Sequence, residues 1–443
     1  MYIKKILFLL GMVLALNLQA QHHISGNLSP ADDFKWLIVY KLNPTAQTYI
    51  TDTEVKNGMF TLNIPENSLP GVYRIVYAIP QEEFYFDVIY SGKESISLIF
   101  NREKGLEFHS SKENIIYYSY FEKVKELEQK IHQLYANNNS YPKLLEEQYR
   151  ALREIQKSFE LQSKGLLSEH FIKANESYIP INYQNQEIFL AHKKKHYFDL
   201  IDLEDSILQE SGFISDKVLN YVFNTFSAQP LPVEEMESEL KLNIKHVAEV
   251  IANLNARYKA RIMDDIWSTA AKNNLNNTAD FIYSGYLHDL AIATNNTELT
   301  QKIETHTRLR IGAIAPEIEW ENEGTTQKLS DLSGAENYIL IFWSSQCSHC
   351  LNELPKLHQG IQTLSNTKVL AIGLEEDRST WKMETKKLPD FIHGISLGKW
   401  DSKYVKTYDI QQTPTYLILD KEKRIVAKPD TYKEVIAFLK GDQ

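Results

Sequence analysis

From His22 to about Glu107, apolar and polar residues alternate with a period of two. The runs WLIVYKL (36–42), GMFTLNI (58–64), GVYRIVYAI (71–79), EFYFDVIYS (83–91) and ISLIF (96–100) are rich in β-branched and aromatic residues. Turn chemistry separates them, as at Lys56-Asn57-Gly58 and Leu69-Pro70-Gly71. Strands at this spacing predict an antiparallel β-sandwich-like domain over 22–108. Near Ser110 the period changes. Ser110 and Glu113 have capping-box spacing, and Ile116, Tyr120, Val124, Leu127, Ile131 and Leu134 recur at helical intervals. Helical patterns continue to about Thr307, broken by turns at Asn137-Asn138-Asn139, Ile179-Pro180 and Gln229-Pro230. An all-α region over 109–308 follows, suited to spacing, to homodimerisation or to presenting a groove. From 309 to 443 strand and helix patterns alternate. YILIFW (338–343) and KVLAIGL (368–374) read as buried strands. A helix around 380–387, YLILD (416–420), RIVAK (424–428) and a final helix over 432–439 complete a small α/β sheet.

The first twenty residues differ from all of this. Lys4 and Lys5 precede an apolar stretch, Ile6 to Leu16, and Leu18-Gln19-Ala20 forms a small-residue exit. That is signal-peptide grammar, with cleavage expected after Ala20. The apolar run stops short of the roughly 20 residues that a bilayer span needs. No cysteine follows it to carry a lipid. The expectation is a periplasmic or otherwise exported protein, soluble once processed. The formal charge is −10 with no long basic block, which argues against nucleic-acid binding.

Export changes the meaning of the cysteines, of which the chain has two, Cys347 and Cys350. In an oxidising compartment cysteines usually serve as staples. A loop this short removes little entropy from the unfolded chain, and half of a four-cysteine zinc set has no second half here. Redox chemistry remains. If a helix starts at Cys347, its unsatisfied N–H groups and dipole favour the thiolate. Cys347 is then the attacking sulfur, and Cys350, one turn inward, resolves the mixed disulfide. His349 between them favours the thiolate if its ring reaches the sulfur; a solvent-facing ring is the alternative. Two metal ideas are weaker. His192 and His196 are one turn apart but flank three lysines. Gln21-His22-His23 offers an amino-terminal copper or nickel motif after cleavage. No cofactor and no metal site is expected.

The C-terminal residues also resemble a known family. C-x-x-C after an apolar strand, Glu353-Leu354-Pro355 soon after it, and Thr413-Pro414-Thr415 before a strand look like a thioredoxin fold. With GAIAPEIEW (312–320) and QKLSDLSG (327–334), they resemble the exported TlpA/ResA-like thiol-disulfide oxidoreductases. The preceding regions are similar to those of multidomain members from Bacteroidetes-type bacteria. The resemblance implies an enzyme that exchanges disulfides with protein thiols, as reductase or isomerase rather than oxidase, recharged by an upstream membrane electron donor. It also implies that Glu353 tunes the cysteines and moves a proton, that Pro414 is cis, and that the Thr413 backbone lies beside Cys347 where a substrate strand pairs. Ser348 stands where relatives often carry proline, Gln346 where they carry Trp, and Ile341 where thioredoxin buries an acid. Trp343 matches the family's aromatic beneath the site. Two rival readings stay open: a thiol peroxidase, for which Ser344 fits but Leu340 replaces the needed proline, and a non-enzymatic module with copper-binding or inactive cysteines.

Overall fold

A computed structural model describes residues 22–136, 141–224, 231–322, 324–362, 364 and 366–441. The predicted signal peptide (1–20), Gln21 and the turns at Asn137-Asn138-Asn139 and Gln229-Pro230 lie outside the described residues. The described chain divides into two compact units. One runs to Thr269 and includes Asp280–Ile282; the other comprises Ala270–Ala279 and the chain from Tyr283 onward.

The first unit opens with β1 (His23–Ser29), β2 (Trp36–Leu42), β3 (Gln47–Glu54), β4 (Met59–Asn63), β5 (Gly71–Val76), β6 (Tyr85–Tyr90), β7 (Ile96–Asn101) and β8 (Gly105–Ser110). They form two four-stranded sheets, ordered β4-β1-β7-β8 and β3-β2-β5-β6. Alternate residues of both sheets meet in one core that includes Ile24, Leu37, Val39, Leu62, Tyr73, Ile75, Val88 and Leu98. Period-two patterning produces this arrangement, since each strand turns one face inward. One pair departs from antiparallel order: β1 runs parallel to β7.

Helices follow: α1 (Lys112–Ala136), α2 (Pro142–Ser163), α3 (Ser168–Ala174), α4 (Gln186–Lys195), α5 (Ser206–Gln209), α6 (Phe213–Phe223), α7 (Val233–Val250), α8 (Ala256–Lys272) and α9 (Asn276–Ile282). The start of α1 is not the box expected from Ser110 and Glu113. Ser110 ends β8. Instead the Ser111 hydroxyl accepts the Asn114 N–H at 3.3 Å, and Glu94 from a distant loop accepts the N–H groups of Lys112 and Glu113. Glu113 is thereby released to accept Leu167 and Ser168 N–H at the start of α3. A one-residue shift therefore moved the cap, and a tertiary carboxylate replaced the local one. The His192 and His196 rings both pack on Tyr178 and take different hydrogen-bond partners, His192 with Tyr178 and Gln184 and His196 with Asp199.

The second unit continues with α10 (His288–Thr294) and α11 (Thr297–Leu309). Next comes the hairpin of β9 (Glu319–Asn322) and β10 (Thr325–Lys328), followed by β11 (Asn337–Trp343), α12 (Ser348–Ile361), β12 (Thr367–Glu375), α13 (Ser379–Thr385), β13 (Ile392–Leu397), α14 (Lys403–Thr407), β14 (Thr415–Leu419), β15 (Ile425–Ala427) and α15 (Tyr432–Lys440). The five-stranded sheet is ordered β13-β12-β11-β14-β15, with β11, β12 and β13 parallel and β14 antiparallel to both of its neighbours, β11 and β15. Apolar clusters cover both of its faces, which is why β11 and β12 read as unbroken apolar runs.

Candidate functional site

The two cysteines sit where β11 gives way to α12. Trp343, the last residue of β11, is 1% exposed and packs in one cluster with Cys350, Leu354 and Tyr416. The chain then turns through Ser344, Ser345 and exposed Gln346. Cys347 is the N-cap of α12, and its sulfur accepts the Cys350 N–H at 3.4 Å. A cap position is where helix N–H groups lack internal partners, so the sulfur meets donors and the positive end of the dipole. Partial burial pushes the Cys347 thiol up. The N–H groups of Cys350 and His349 and the Thr413 side chain pull it down, and the balance falls below the ordinary thiol value. Cys350 has the opposite setting: it is fully buried, and burial pushes its thiol up to about 12. Both cysteines carry free thiols.

Thr413, 66 residues on in sequence, closes the site. Its carbonyl accepts the Cys347 S–H at 3.4 Å, and the Thr413–Pro414 peptide is cis. That carbonyl stabilises the thiol form, so it works against the N–H groups of the helix.

Glu353 lies one turn after Cys350 on the same helix face and is 6% exposed. Its Oε2 accepts the Tyr416 hydroxyl at 3.0 Å and the Tyr432 N–H at 3.3 Å. Burial raises the Tyr416 phenol, with the Glu353 carboxylate the next cause and both cysteine sulfurs adding to it. Ser348 and His349 are exposed. The His349 ring is turned toward Glu353, Nε2 to Oε1 3.7 Å, so its backbone N–H rather than its ring serves the Cys347 sulfur. Ile341 is fully buried and supplies no acid at its own position. Pro355 lies within α12, which continues past it to Ile361.

The structure adds a group that sequence reasoning missed. Glu375 ends β12 and is 2% exposed, directly under the turn before Cys347. It accepts the Ser345 N–H at 2.5 Å and the Ser344 hydroxyl at 3.4 Å. Burial holds its carboxyl above the ordinary range, with the Ser345 N–H and nearby Lys399 opposing. Lys399 also reaches Gln346 Oε1 at 3.5 Å. A glutamate closing an apolar strand was the available signal, but only the tertiary fold shows that it meets the cysteine turn.

Residues 335–425 match the Thioredoxin-like family. The thiol-disulfide oxidoreductase ResA of a Bacillus cereus strain is 27% identical over 123 residues, which is 27% of this chain and 70% of that protein. Among solved structures, a domain of a possible thiol-disulfide isomerase from Cytophaga hutchinsonii is 32% identical, covering 30% of this chain and 93% of the other, with a TM-score of 0.28. A thioredoxin-like protein from Bacteroides caccae, 20% identical, covers 60% of this chain and 97% of its own, with a TM-score of 0.40. With a helix-capping C-x-x-C at its centre, the chain belongs to the TlpA/ResA-like family of thioredoxin-like thiol-disulfide oxidoreductases.

Proposed function

We propose that this enzyme reduces or rearranges disulfides in other proteins of the export compartment, with Cys347 as nucleophile and Cys350 as resolving thiol. The observation that carries the reading is the inequality of the pair: a capping sulfur held below the ordinary thiol value beside a buried one pushed to about 12. The Cys347 thiolate attacks one sulfur of a substrate disulfide. That bond breaks, a mixed disulfide forms, and the other substrate sulfur leaves as a thiolate that takes a proton. Cys350 then gives up its proton and attacks the Cys347 sulfur. The second substrate thiol departs, and the pair is left as a disulfide two electrons poorer. A dithiol donor, delivered from the membrane in this reading, restores the reduced pair.

Other residues serve these two steps. Deprotonating a thiol this far above neutrality needs an acceptor, and Glu353 is the buried carboxylate one turn away. Thr413 presents backbone beside the attacking sulfur, so an extended substrate segment can pair with it as an added strand. A peroxidase reading loses ground because the Ser344 hydroxyl is engaged by Glu375.

The experiment is the equilibrium potential of the Cys347/Cys350 pair, with insulin reduction and peroxide consumption measured on the same sample. Reductase or isomerase chemistry predicts a value nearer roughly −270 mV than −120 mV, with insulin turnover and negligible peroxide use. A strongly oxidising potential, or peroxide turnover that outpaces insulin, contradicts the proposal.

His349 provides a smaller test. Its N–H survives replacement, so His349→Ala is expected to move the Cys347 thiolate titration by less than about half a pH unit, worth under ~0.7 kcal/mol. A larger rise, followed by thiolate absorbance at 240 nm, shows that the ring itself stabilises the sulfur.

A further inference from the structure

The helical region holds a second candidate site, far in sequence from the cysteines. Its centre is Lys217 on α6. The ammonium gives one N–H to Asn175 Oδ1 at 2.6 Å, and no carboxylate pairs with it among the described residues. The Asn175 amide is itself oriented, because its Nδ2 donates to the Tyr120 hydroxyl at 3.3 Å and that hydroxyl donates to Gln156 at 2.6 Å. A hydrogen-bonded chain from the helical core therefore fixes the lysine head. The rings of Phe213 and Tyr197 lie 5.5 and 5.7 Å from Nζ. Burial pushes this ammonium down to about 8, with Glu128 of α1 opposing and Lys193 of α4 reinforcing the fall. Lys217 is partly buried; a cation removed from part of its water without a counter-ion is costly, and an ammonium has three donors to satisfy.

Lys217 faces a cavity of about 580 Å³ walled also by Tyr117, Phe121, Tyr197 and Phe213. A second cavity, about 330 Å³ and lined by Tyr135, Tyr149, Leu152 and Phe189, shares Glu128, Ser177, Leu190 and Lys193 with the first. The two are neighbouring chambers of one recess, one with a cation at its wall and one mainly apolar. Each is in the size range of small-molecule sites, roughly 300–1,000 Å³. Of the carboxylates on the walls, Glu128 is paired with Lys193 at 2.8 Å, whereas burial and then Asp87 push the Asp216 carboxyl up to about 6, with Arg74 opposing.

We infer that this recess binds a small organic anion, a carboxylate with an apolar or aromatic body, with its head on Lys217 and its body against the aromatic walls. The carboxylate supplies the missing acceptor for the ammonium, and the rings supply the apolar contact. This reading is independent of the thiol chemistry.

The test is calorimetric titration of the full, reduced chain at pH 7 with three probe acids: 3-phenylpropionate, indole-3-acetate and decanoate. The neutral 3-phenylpropan-1-ol is the control. At least one acid is expected to bind with Kd below about 1 mM. Lys217→Met, which keeps the apolar stem of the side chain and removes the ammonium, should weaken that acid at least tenfold, about 1.4 kcal/mol. The alcohol should bind the parent protein more weakly by the same margin. That parent-only comparison stands even if the variant folds poorly, and a thermal melt of the variant reports its fold. Leu190→Trp, filling the wall shared by both chambers, should also reduce binding. Insulin reduction should be unchanged in Lys217→Met. No binding of any acid at about 10 mM, equal affinity for acid and alcohol, or equal affinity of the parent and a folded Lys217→Met overturns the inference.

Discussion

Cys350→Ser is expected to stop turnover by roughly 1,000-fold or more and to accumulate a covalent adduct with substrate through Cys347. The argument rests on geometry. Cys347 is partly exposed at the helix cap, where Cys350 and His349 donate N–H bonds to its sulfur. Cys350 is fully buried, so a bulky protein disulfide cannot approach it before Cys347 has reacted. Without the Cys350 thiol the first exchange still proceeds, but the mixed disulfide has no internal attacker. Non-reducing electrophoresis with mass spectrometry of the adduct reads the result. Cys347→Ser should give neither turnover nor adduct. If Cys347→Ser traps substrate and Cys350→Ser does not, the two roles are reversed.

Glu353→Gln is expected to slow insulin reduction by roughly 100-fold while leaving the first attack intact. The amide keeps the size of the side chain and still accepts from Tyr416 and the Tyr432 N–H. It loses the ability to take the proton that Cys350 must release. The prediction is therefore a split: modification of Cys347 proceeds as in the parent, but resolution of a preformed mixed disulfide is slow. Raising the pH should recover part of the rate, since hydroxide then replaces the carboxylate as proton acceptor. Equal loss in both steps would assign Glu353 to packing the site rather than to proton transfer.

Legibility in the sequence followed locality. The C-x-x-C at a strand-to-helix junction is a local pattern, and so is the cap that activates Cys347. Thr413 lies 66 residues from Cys347, and only the family resemblance connected them. Glu375 and Tyr416 had no such connection. Each ends or begins an apolar strand, and its role appears only when β12 and β14 are laid on either side of β11. The same limit applies to the strands. The runs that became β2, β4, β5, β6 and β7 carry dense apolar alternation. By contrast, β3 reads QTYITDTE and is largely exposed, leaving little pattern to find. In β1, Ile24 and Leu28 are the only large aliphatic residues. The strand β13 hides behind Gly394, whose missing side chain is a packing requirement. A Cβ there would meet Ile372 Cδ1 at 2.6 Å and Trp320 Cβ at 2.9 Å. Lys217 was also invisible, because a lysine on a helix reads as a solvated face until the aromatic walls close around it.

The central claim is that the two thiols differ in kind, and limited alkylation tests it most directly. The fully reduced chain is treated briefly with iodoacetamide at pH 7, and the labelled positions are read by peptide mapping. Cys347, with a depressed thiol and partial exposure, should react at least about 100-fold faster than Cys350, whose thiol is buried and raised. Comparable labelling of both cysteines, or labelling of Cys350 first, would contradict the account.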